Sequence, residues 1–264
     1  MIYANYHTHT KRCGHAGDFD EEAYVKAAIG SGIKVLGFAD HCPWIYSEGF
    51  SSSDIRMSMD MLPDYIDTVH GLADKYKDQI KIYTGLECEY FPENTDILDM
   101  FAEKLDYIIL GAHFARSEEY GDKHSAESTE PKDLYYYMEN NIAALETGRF
   151  RYLNHPDIMF SSYPSFDKAA AEVSREIARC AVRTGTPVEY NIYGVVKFEK
   201  GTHTGIGYPC PGFWEIAAEE GVTAIIGCDA HDPELLANVG RIERAQEYLN
   251  SIGIKVIDRL EGLE

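Results

Sequence analysis

The 264-residue sequence predicts an α/β protein built on a mainly parallel sheet. Short segments rich in apolar, β-branched and aromatic residues alternate with longer segments of helical period, and the alternation repeats seven or eight times. This pattern is compatible with a closed barrel and with an open, doubly wound sheet. No glycine-rich dinucleotide-binding motif follows the first predicted strand, which removes one common reason for an open sheet.

The predicted strands and helices follow one another in strict order along the chain. The strands are "IYANYHTH" (2–9), "KVLGFADH" (34–41), "IKIYTGLECEY" (80–90), "DYIILGAHF" (106–114), "RYLNHP" (151–156), "TPVEYNIY" (186–193) and "TAIIGCDAH" (223–231), and "IKVIDRL" (254–260) is an eighth strand or an extra edge. The helices are expected near residues 20–31, 58–77, 94–104, 132–147, 167–184, 212–220 and 234–250, with Asp20 as the N-cap of the first. Three longer irregular segments, 42–57, 115–131 and 194–211, each follow a strand, where the loops of a barrel build its active face.

Composition indicates one domain over residues 1–264, because no low-complexity linker or shift in composition marks a boundary. No apolar run is long enough to cross a bilayer and no signal peptide is visible, so a cytoplasmic location without membrane contact is expected. The six cysteines lie far apart without a CxxC pair and are expected to be reduced. A net charge of −20 argues against a nucleic-acid partner, whose phosphates such a surface would repel.

Histidines and carboxylates occur at the ends of all predicted strands except the sixth. The residues concerned are His7, His9, His41, Glu87, His113, His155, Asp229 and His231, and His15 follows in the loop after the first strand. In a parallel barrel these strand ends converge on one mouth. A single histidine at a strand end is usually a satisfied polar residue, but the joint pattern predicts a site for two or three ions, with a carboxylate bridging. Imidazoles together with carboxylates suit zinc, iron or manganese.

The sequence resembles the PHP superfamily, named for polymerase and histidinol phosphatase. The motifs that carry this resemblance are "HTH" (7–9), "DH" (40–41), "GLECE" (85–89), "GAHF" (111–114), "NHPD" (154–157) and "DAH" (229–231), in the family's order. Within the family, "RCGHA" (12–16), "GFADHCPW" (37–44) and "YP" (208–209) look like the stand-alone histidinol-phosphatase branch. The resemblance implies a distorted (β/α)7 TIM-like barrel.

The resemblance also implies a trinuclear centre of divalent transition-metal ions (Zn, Mn or Fe). One ion would be held by His7, His9, Glu87 and Asp229, a second by Glu87, His113 and His155, and a third by His15, His41 and His231. The implied reaction is hydrolysis of L-histidinol phosphate to L-histidinol and phosphate, a stage of histidine biosynthesis. A metal-bridging hydroxide would attack the phosphorus, and no serine or cysteine nucleophile would be needed.

Further polar residues are candidates for contacts with the substrate. Arg116, three residues after His113, and Arg12 are candidates for the phosphate, and His203 lies in a predicted active-face loop. Asp40 is a candidate for orienting a ligand or for protonating the leaving group. Candidates for the substrate's ammonium group are Glu189 and Asn191, which share one face of the sixth strand, and candidates for its imidazole are Trp44, Phe91 and Tyr190.

Other functions remain open at this stage. One is a PHP phosphoesterase acting on another ester, such as a nucleotide or phosphotyrosine; the acidic composition disfavours a nuclease. The amidohydrolase superfamily also starts with HxH, but it normally carries a lysine on a middle strand, and "VEYN" occupies the sixth strand here. A non-catalytic metal-binding regulatory protein is the alternative from a different class.

Overall fold

The computed structural model describes residues 3–50, 52, 55–114 and 116–263. Its strands are β1 (Ala4–Asn5), β2 (Val35–His41), β3 (Lys81–Cys88), β4 (Tyr107–Leu110), β5 (Val188–Asn191), β6 (Thr223–Gly227) and β7 (Lys255–Ile257). All pairings between these strands are parallel, in the orders β1-β2-β3-β4 and β5-β6-β7. The predicted α/β class with a parallel sheet is therefore confirmed.

Isolated parallel bridges join the two sets of strands into a ring. Leu153 bridges to Leu110 of β4 and to Val188 of β5, and Thr8 bridges to Ala230 beyond the end of β6. The result is a distorted TIM-like barrel. The predicted fifth strand, 151–156, is reduced to the bridge at Leu153.

The terminal strand β7 pairs with β6 alone among the described strands. It meets the first half of β6, whereas the bridge to Thr8 lies beyond the other end of that strand. Segment 254–260 therefore forms an extra edge strand and is not an eighth strand of the closed barrel.

Helices cover the outside of the barrel. They are α1 (Glu21–Ser31), α2 (Leu62–Tyr76), α3 (Thr95–Lys104), α4 (Pro131–Glu146), α5 (Lys168–Thr184), α6 (Ile192–Glu199), α7 (Pro211–Glu220), α8 (Pro233–Ala237) and α9 (Val239–Ser251). Asp20 caps α1 as predicted, because its carboxylate accepts a hydrogen bond from Ala23 N at 2.9 Å. The predicted helix 234–250 is divided into α8 and α9 at Asn238. No helix among the described residues is long and apolar enough to cross a membrane.

The sixth predicted strand is wrong in its second half. It ends at Asn191, and the chain continues as α6, where the sequence predicted first strand and then an irregular loop. The side chain of Asn191 accepts a hydrogen bond from Gly194 N at 2.8 Å and so caps α6. This early turn matters for the site, because it places residues of α6 beside the barrel mouth.

Tyrosines fill part of the barrel interior below the strand ends. Tyr6 and Tyr107 are buried in this cluster, and the Tyr107 hydroxyl donates to Tyr6 O at 2.7 Å. Gly37 and Gly85 make room for the Tyr107 ring, because a Cβ at either position would collide with it. This packed tyrosine layer closes the barrel interior beneath the polar residues at the strand ends.

Candidate metal centre

The nine predicted ligands converge at the carboxyl ends of the barrel strands. Eight of them are buried, and His15, from the loop after β1, is exposed. Seven of them, all except the fully buried His7 and His9, line a cavity of about 80 Å³, which is also lined by Ile55, His124, Ile158, Tyr193, Lys197 and Tyr208. The structure thus brings together the residues that the strand-end pattern singled out.

Glu87 lies at the centre of the cluster and faces two groups of imidazoles. Its Oε1 lies 3.2 Å from His113 Nε2 and 2.9 Å from His155 Nε2. Its Oε2 lies 3.5 Å from Nε2 of both His7 and His9. A carboxylate whose two oxygens address different ligand groups has the geometry needed to bridge two ions. Gly111 permits this position, because a Cβ there would collide with the Glu87 side chain.

His7, His9 and Asp229 form the first group. The Nε2 atoms of the two histidines lie 3.0 Å apart, and Asp229 Oδ1 lies 3.0 Å from His9 Nε2. Asp229 has a φ of 49°, in the left-handed region that non-glycine residues seldom adopt. This strained backbone conformation occurs at the residue whose carboxylate contacts the imidazoles, as is common at functional sites.

The third predicted group is only partly compact. His15 and His231 approach each other with their Nε2 atoms 2.8 Å apart. The ring of His41 lies 5.2 Å from that of His15 and 6.4 Å from that of His231, whereas its Nδ1 lies 3.0 Å from Glu87 Oε2. His41 therefore lies between the bridging carboxylate and the His15–His231 pair, and its assignment to a third ion stays a prediction.

Hydrogen-bond acceptors behind the ligands determine which way the imidazoles point. Three buried carboxylates face ligand Nδ1 atoms: Glu189 at 2.8 Å from His7, Asp40 at 3.4 Å from His9 and Glu89 at 3.2 Å from His113. Backbone carbonyl oxygens serve two of the remaining four histidines: Cys13 O at 3.3 Å from His15 and Asp229 O at 3.0 Å from His231. Each acceptor requires a proton on Nδ1 and so leaves the lone pair on Nε2, directed inward.

These atoms fit a metal ion. The facing Nε2 atoms in the two close histidine pairs would repel each other through their lone pairs unless a cation or a proton lies between them. In addition, Nδ1 of His155 is buried and has no hydrogen-bond partner among the described residues, and Oε2 of Glu87 and Nδ1 of His41 lie 3.0 Å apart without the geometry of a hydrogen bond. Buried polar atoms without partners are rare, and here they line one cavity with the donor types that divalent transition metals take.

The electrostatics of the cluster favour ionised carboxylates. Burial alone would raise the pKa of Glu87, but His113 and His41 hold the pKa of this carboxyl well below its usual range. Burial lowers the pKa of His7, but Glu189 and Asp229 outweigh burial and raise that pKa to about 10. Without another cation the His7 imidazole therefore retains its proton, which a bound metal ion would displace, whereas burial lowers the pKa values of His41 and His231 and leaves these two imidazoles neutral.

The predicted roles of Asp40, Glu189 and Asn191 in substrate contact have no support in their positions. Asp40 lies behind His9 and accepts a hydrogen bond from Thr10 N at 3.2 Å, and it does not line the cavity. Asn191 Nδ2 donates to Glu189 Oε2 at 2.9 Å and to Asp229 Oδ2 at 3.0 Å. All three are fully or almost fully buried, so they orient ligands, which for Asp40 is the first of its two predicted roles.

The two arginines and His203 are also held away from the cavity. The guanidinium of Arg12 pairs with Glu21 and with Asp64, and Arg116 is exposed and pairs with Asp122. His203 has Nδ1 at 3.0 Å from Ser161 Oγ and Nε2 at 3.1 Å from Tyr208 O. The aromatic candidates Trp44, Phe91 and Tyr190 likewise lie outside the cavity lining. The two arginines and His203 are thus held by local partners, which cannot be inferred from the position of a residue relative to a strand.

Three polar residues at the cavity were missed by sequence reasoning, namely Tyr193, Lys197 and Tyr208, whereas His124 lies in a loop that the sequence predicted to face the substrate. Tyr193 stacks on His231 with ring centroids 4.9 Å apart, and burial lowers the pKa of Lys197 on the same helix. Burial also lowers the pKa of His124 to about 3, so this imidazole is neutral. The "NIYG" segment contained a usable signal, because Asn is among the residues preferred at a helix N-cap.

A parallel barrel that gathers buried imidazoles and carboxylates at its strand ends defines a class of TIM-like barrel proteins with a divalent-metal site. The particular family follows from comparison of the sequence. Residues 5–193 match the PHP domain, and the chain belongs to that family.

Two relatives of the chain are named as histidinol-phosphatases. A Deinococcus radiodurans protein named "Probable histidinol-phosphatase" is 26% identical over 239 residues, which cover 86% of this chain and 85% of the relative. The Bacillus subtilis histidinol-phosphatase is 31% identical over 118 residues, 42% of this chain and 44% of the relative.

A solved structure has the same fold. It is the histidinol phosphate phosphatase of Lactococcus lactis, in complex with zinc, L-histidinol and phosphate. Its TM-score is 0.72 at 17% identity, over 97% of this chain and 95% of that one. The likeness covers almost the full length of both chains.

Proposed function

We propose that this protein is a metal-dependent phosphomonoesterase that hydrolyses L-histidinol phosphate to L-histidinol and phosphate. The observation that carries the proposal is Glu87, whose two carboxylate oxygens face separate groups of imidazoles at 2.9–3.5 Å. The substrate is supported by relatives named histidinol-phosphatases and by the zinc, histidinol and phosphate of the Lactococcus structure. We place this activity in one domain spanning residues 1–264.

The chain offers ligands for three divalent transition-metal ions, zinc, manganese or iron. The sets that we propose are His7, His9, Glu87 and Asp229; Glu87, His113 and His155; and His15, His41 and His231, supported by the compact group of His7, His9 and Asp229, by the contacts of Glu87 with His113 and His155, and by the close approach of His15 and His231. When bound, such ions supply Lewis-acid chemistry: they neutralise charge on phosphoryl oxygens and lower the pKa of water to near neutrality.

The protein's own contribution to the reaction is to orient the site and to limit access to it. Glu189, Asp40 and Glu89 fix the ring orientation and the tautomer of three ligand histidines, so little reorganisation is needed when charge develops on the phosphoryl group. Tyr193 and Tyr208 line the cavity beside the ligands and restrict the water that reaches it.

The shape and charge of the site favour a small ester over a polymer. The cavity measures about 80 Å³, and the net charge of −20 disfavours approach of a nucleic-acid backbone. Within these limits, a nucleotide and phosphotyrosine are the competing monoesters that an assay must include.

The direct experiment is phosphate release by protein reconstituted with zinc, manganese or iron. L-histidinol phosphate, a nucleoside monophosphate and phosphotyrosine are compared, and the proposal predicts the highest kcat/KM for the first. His9→Ala removes a ligand and should abolish release, whereas His70→Ala, at an exposed position in α2, should leave it unchanged. Absence of phosphate release from all three esters would contradict the proposed activity.

A further inference from the structure

Lys197 lies at the mouth of the site and has no counter-ion there. It is partly buried on α6 and lines the cavity together with the metal-ligand candidates. Its Nζ lies 4.9 Å from the ring centroid of Tyr193 and 5.7 Å from that of Tyr208. Among the described residues, the charge of Asp229 acts on this ammonium group, but no carboxylate forms a salt bridge with it.

The charges that face Lys197 do not neutralise it. The carboxylates lining the cavity are Glu87 and Asp229, and both are engaged with imidazoles of the candidate metal centre. The remaining side chains around the cavity are histidines, tyrosines and isoleucines. A partly desolvated cation held by aromatic rings alone is costly unless an anion joins it, so its position indicates an anionic ligand.

Lys197 is also the sole lysine or arginine lining the cavity among the described residues. Its position is coupled to the metal-ligand candidates, because Asn191 both caps α6 and donates to Asp229. Tyr193, four residues before Lys197 on the same helix, stacks on His231. The ammonium group is therefore presented to the cavity by the same contacts that hold two ligand residues.

We propose that Lys197 binds the phosphoryl group of the substrate and selects dianionic phosphomonoesters over monoanionic diesters. This inference rests on the proposed phosphatase function. An ammonium group interacts with a dianion about twice as strongly as with a monoanion at the same distance. A charge-assisted hydrogen bond of this kind corresponds to about a 10- to 100-fold change in affinity.

Calorimetric binding to the zinc-loaded protein tests the inference without turnover. Inorganic phosphate is the dianionic probe and dimethyl phosphate the monoanionic one, both at pH 8. Lys197→Met should weaken phosphate binding about 10- to 100-fold and dimethyl phosphate binding about 3- to 10-fold, because half the interaction energy corresponds to the square root of the change in affinity. Lys197→Arg should retain most of the preference, and Lys200→Met, at an exposed position after α6, should bind both probes as the wild type does.

Kinetics provide the second arm, with kcat/KM for 4-nitrophenyl phosphate measured on the same proteins. The inference predicts a loss of about 10- to 100-fold for Lys197→Met and partial rescue by Lys197→Arg.

Equal weakening of phosphate and dimethyl phosphate binding overturns the inference. Unchanged phosphate affinity in a Lys197→Met variant whose thermal unfolding matches the wild type also overturns it. If Lys197→Met does not fold, an Arg variant with no preference for the dianion also overturns it. A wild type that binds phosphate through Lys197 but releases none from any ester would instead contradict the proposed function.

Discussion

The floor of the site is held by a network of buried hydrogen bonds, whereas its mouth is lined by side chains with few such constraints. At the floor, Glu87, His7 and His113 each have polar partners on two sides; Glu87 lies in β3, and the two histidines follow closely after β1 and β4. At the mouth, Lys197 and Tyr193 come from α6 and meet their neighbours mainly through aromatic faces. The floor is thus suited to hold ions rigidly, and the mouth is suited to distinguish among ligands.

The largest effect should come from the centre of the floor. Glu87→Gln removes the charge that faces two imidazole groups, so we expect loss of bound metal and a fall in kcat/KM of at least about 1,000-fold. Metal content by mass spectrometry and phosphate release measure the two effects. The exposed Glu93→Gln is the matched control. Full metal content together with normal activity in Glu87→Gln would show that the Glu87 carboxylate does not bridge two ions.

The carboxylates behind the ligands should have a smaller effect. Glu189→Gln weakens the acceptor for His7 Nδ1, and we expect metal affinity or kcat to fall about 10- to 100-fold. Metal titration of the apoprotein and steady-state kinetics separate the two quantities. A variant with unchanged metal affinity and raised KM alone would instead support contact of Glu189 with the substrate.

The buried carboxyl group of Asp157, two residues after His155, should give a pH effect on stability. Asp157 accepts hydrogen bonds from Cys210 N at 2.6 Å and Trp214 Nε1 at 3.1 Å, and burial raises its pKa to about 7. Its protonation therefore stabilises the fold fully below about pH 4, and this stabilisation is lost as the pH rises through 7. Asp157→Asn has no such titration, so its free energy of unfolding relative to the wild type should improve by up to about 4 kcal/mol between pH 4 and pH 8.

Chemical denaturation of the two apoproteins across this pH range measures that difference. The comparison needs full metal removal, because bound ions would add their own pH dependence to the stability. Parallel pH profiles for wild type and Asp157→Asn would show that Asp157 does not hold a proton in the folded state.

The smallest effect is expected at the outer surface of the mouth. Arg116 is exposed and pairs with Asp122, so Arg116→Met should change kcat/KM for histidinol phosphate less than about 2-fold. The same assay on Lys197→Met gives the contrast between the two cations. A 10-fold loss in Arg116→Met would restore the predicted role of this arginine in phosphate binding.

The sequence was informative about the floor for a physical reason. Side chains two residues apart on a strand point the same way, and parallel strands end at one face, so His7, His9, Asp229 and His231 could be placed together without coordinates. The alternation of elements likewise predicted the barrel's parallel pairing. Where the chain left a strand early, at Asn191, the prediction failed, because a single capping side chain decided the change to helix.

The mouth could not be predicted in the same way. Arg12 and Arg116 occupy sequence positions from which an arginine could contact a substrate phosphate. In the structure, however, each guanidinium forms an ion pair with a nearby carboxylate, Asp64 for Arg12 and Asp122 for Arg116. Lys197 is separated from every ligand motif by several residues, and only the turn into α6 brings it to the cavity. Long side chains with several local partners are not fixed by periodicity, so their roles require coordinates.

The most direct test of the central claim is phosphate release from L-histidinol phosphate before chelation, after chelation and after metal is restored. The arrangement of Glu87 and the ligand histidines predicts that activity disappears with the metal and returns on adding zinc, manganese or iron. Hydrolysis at an undiminished rate by protein shown to be free of metal would contradict the account.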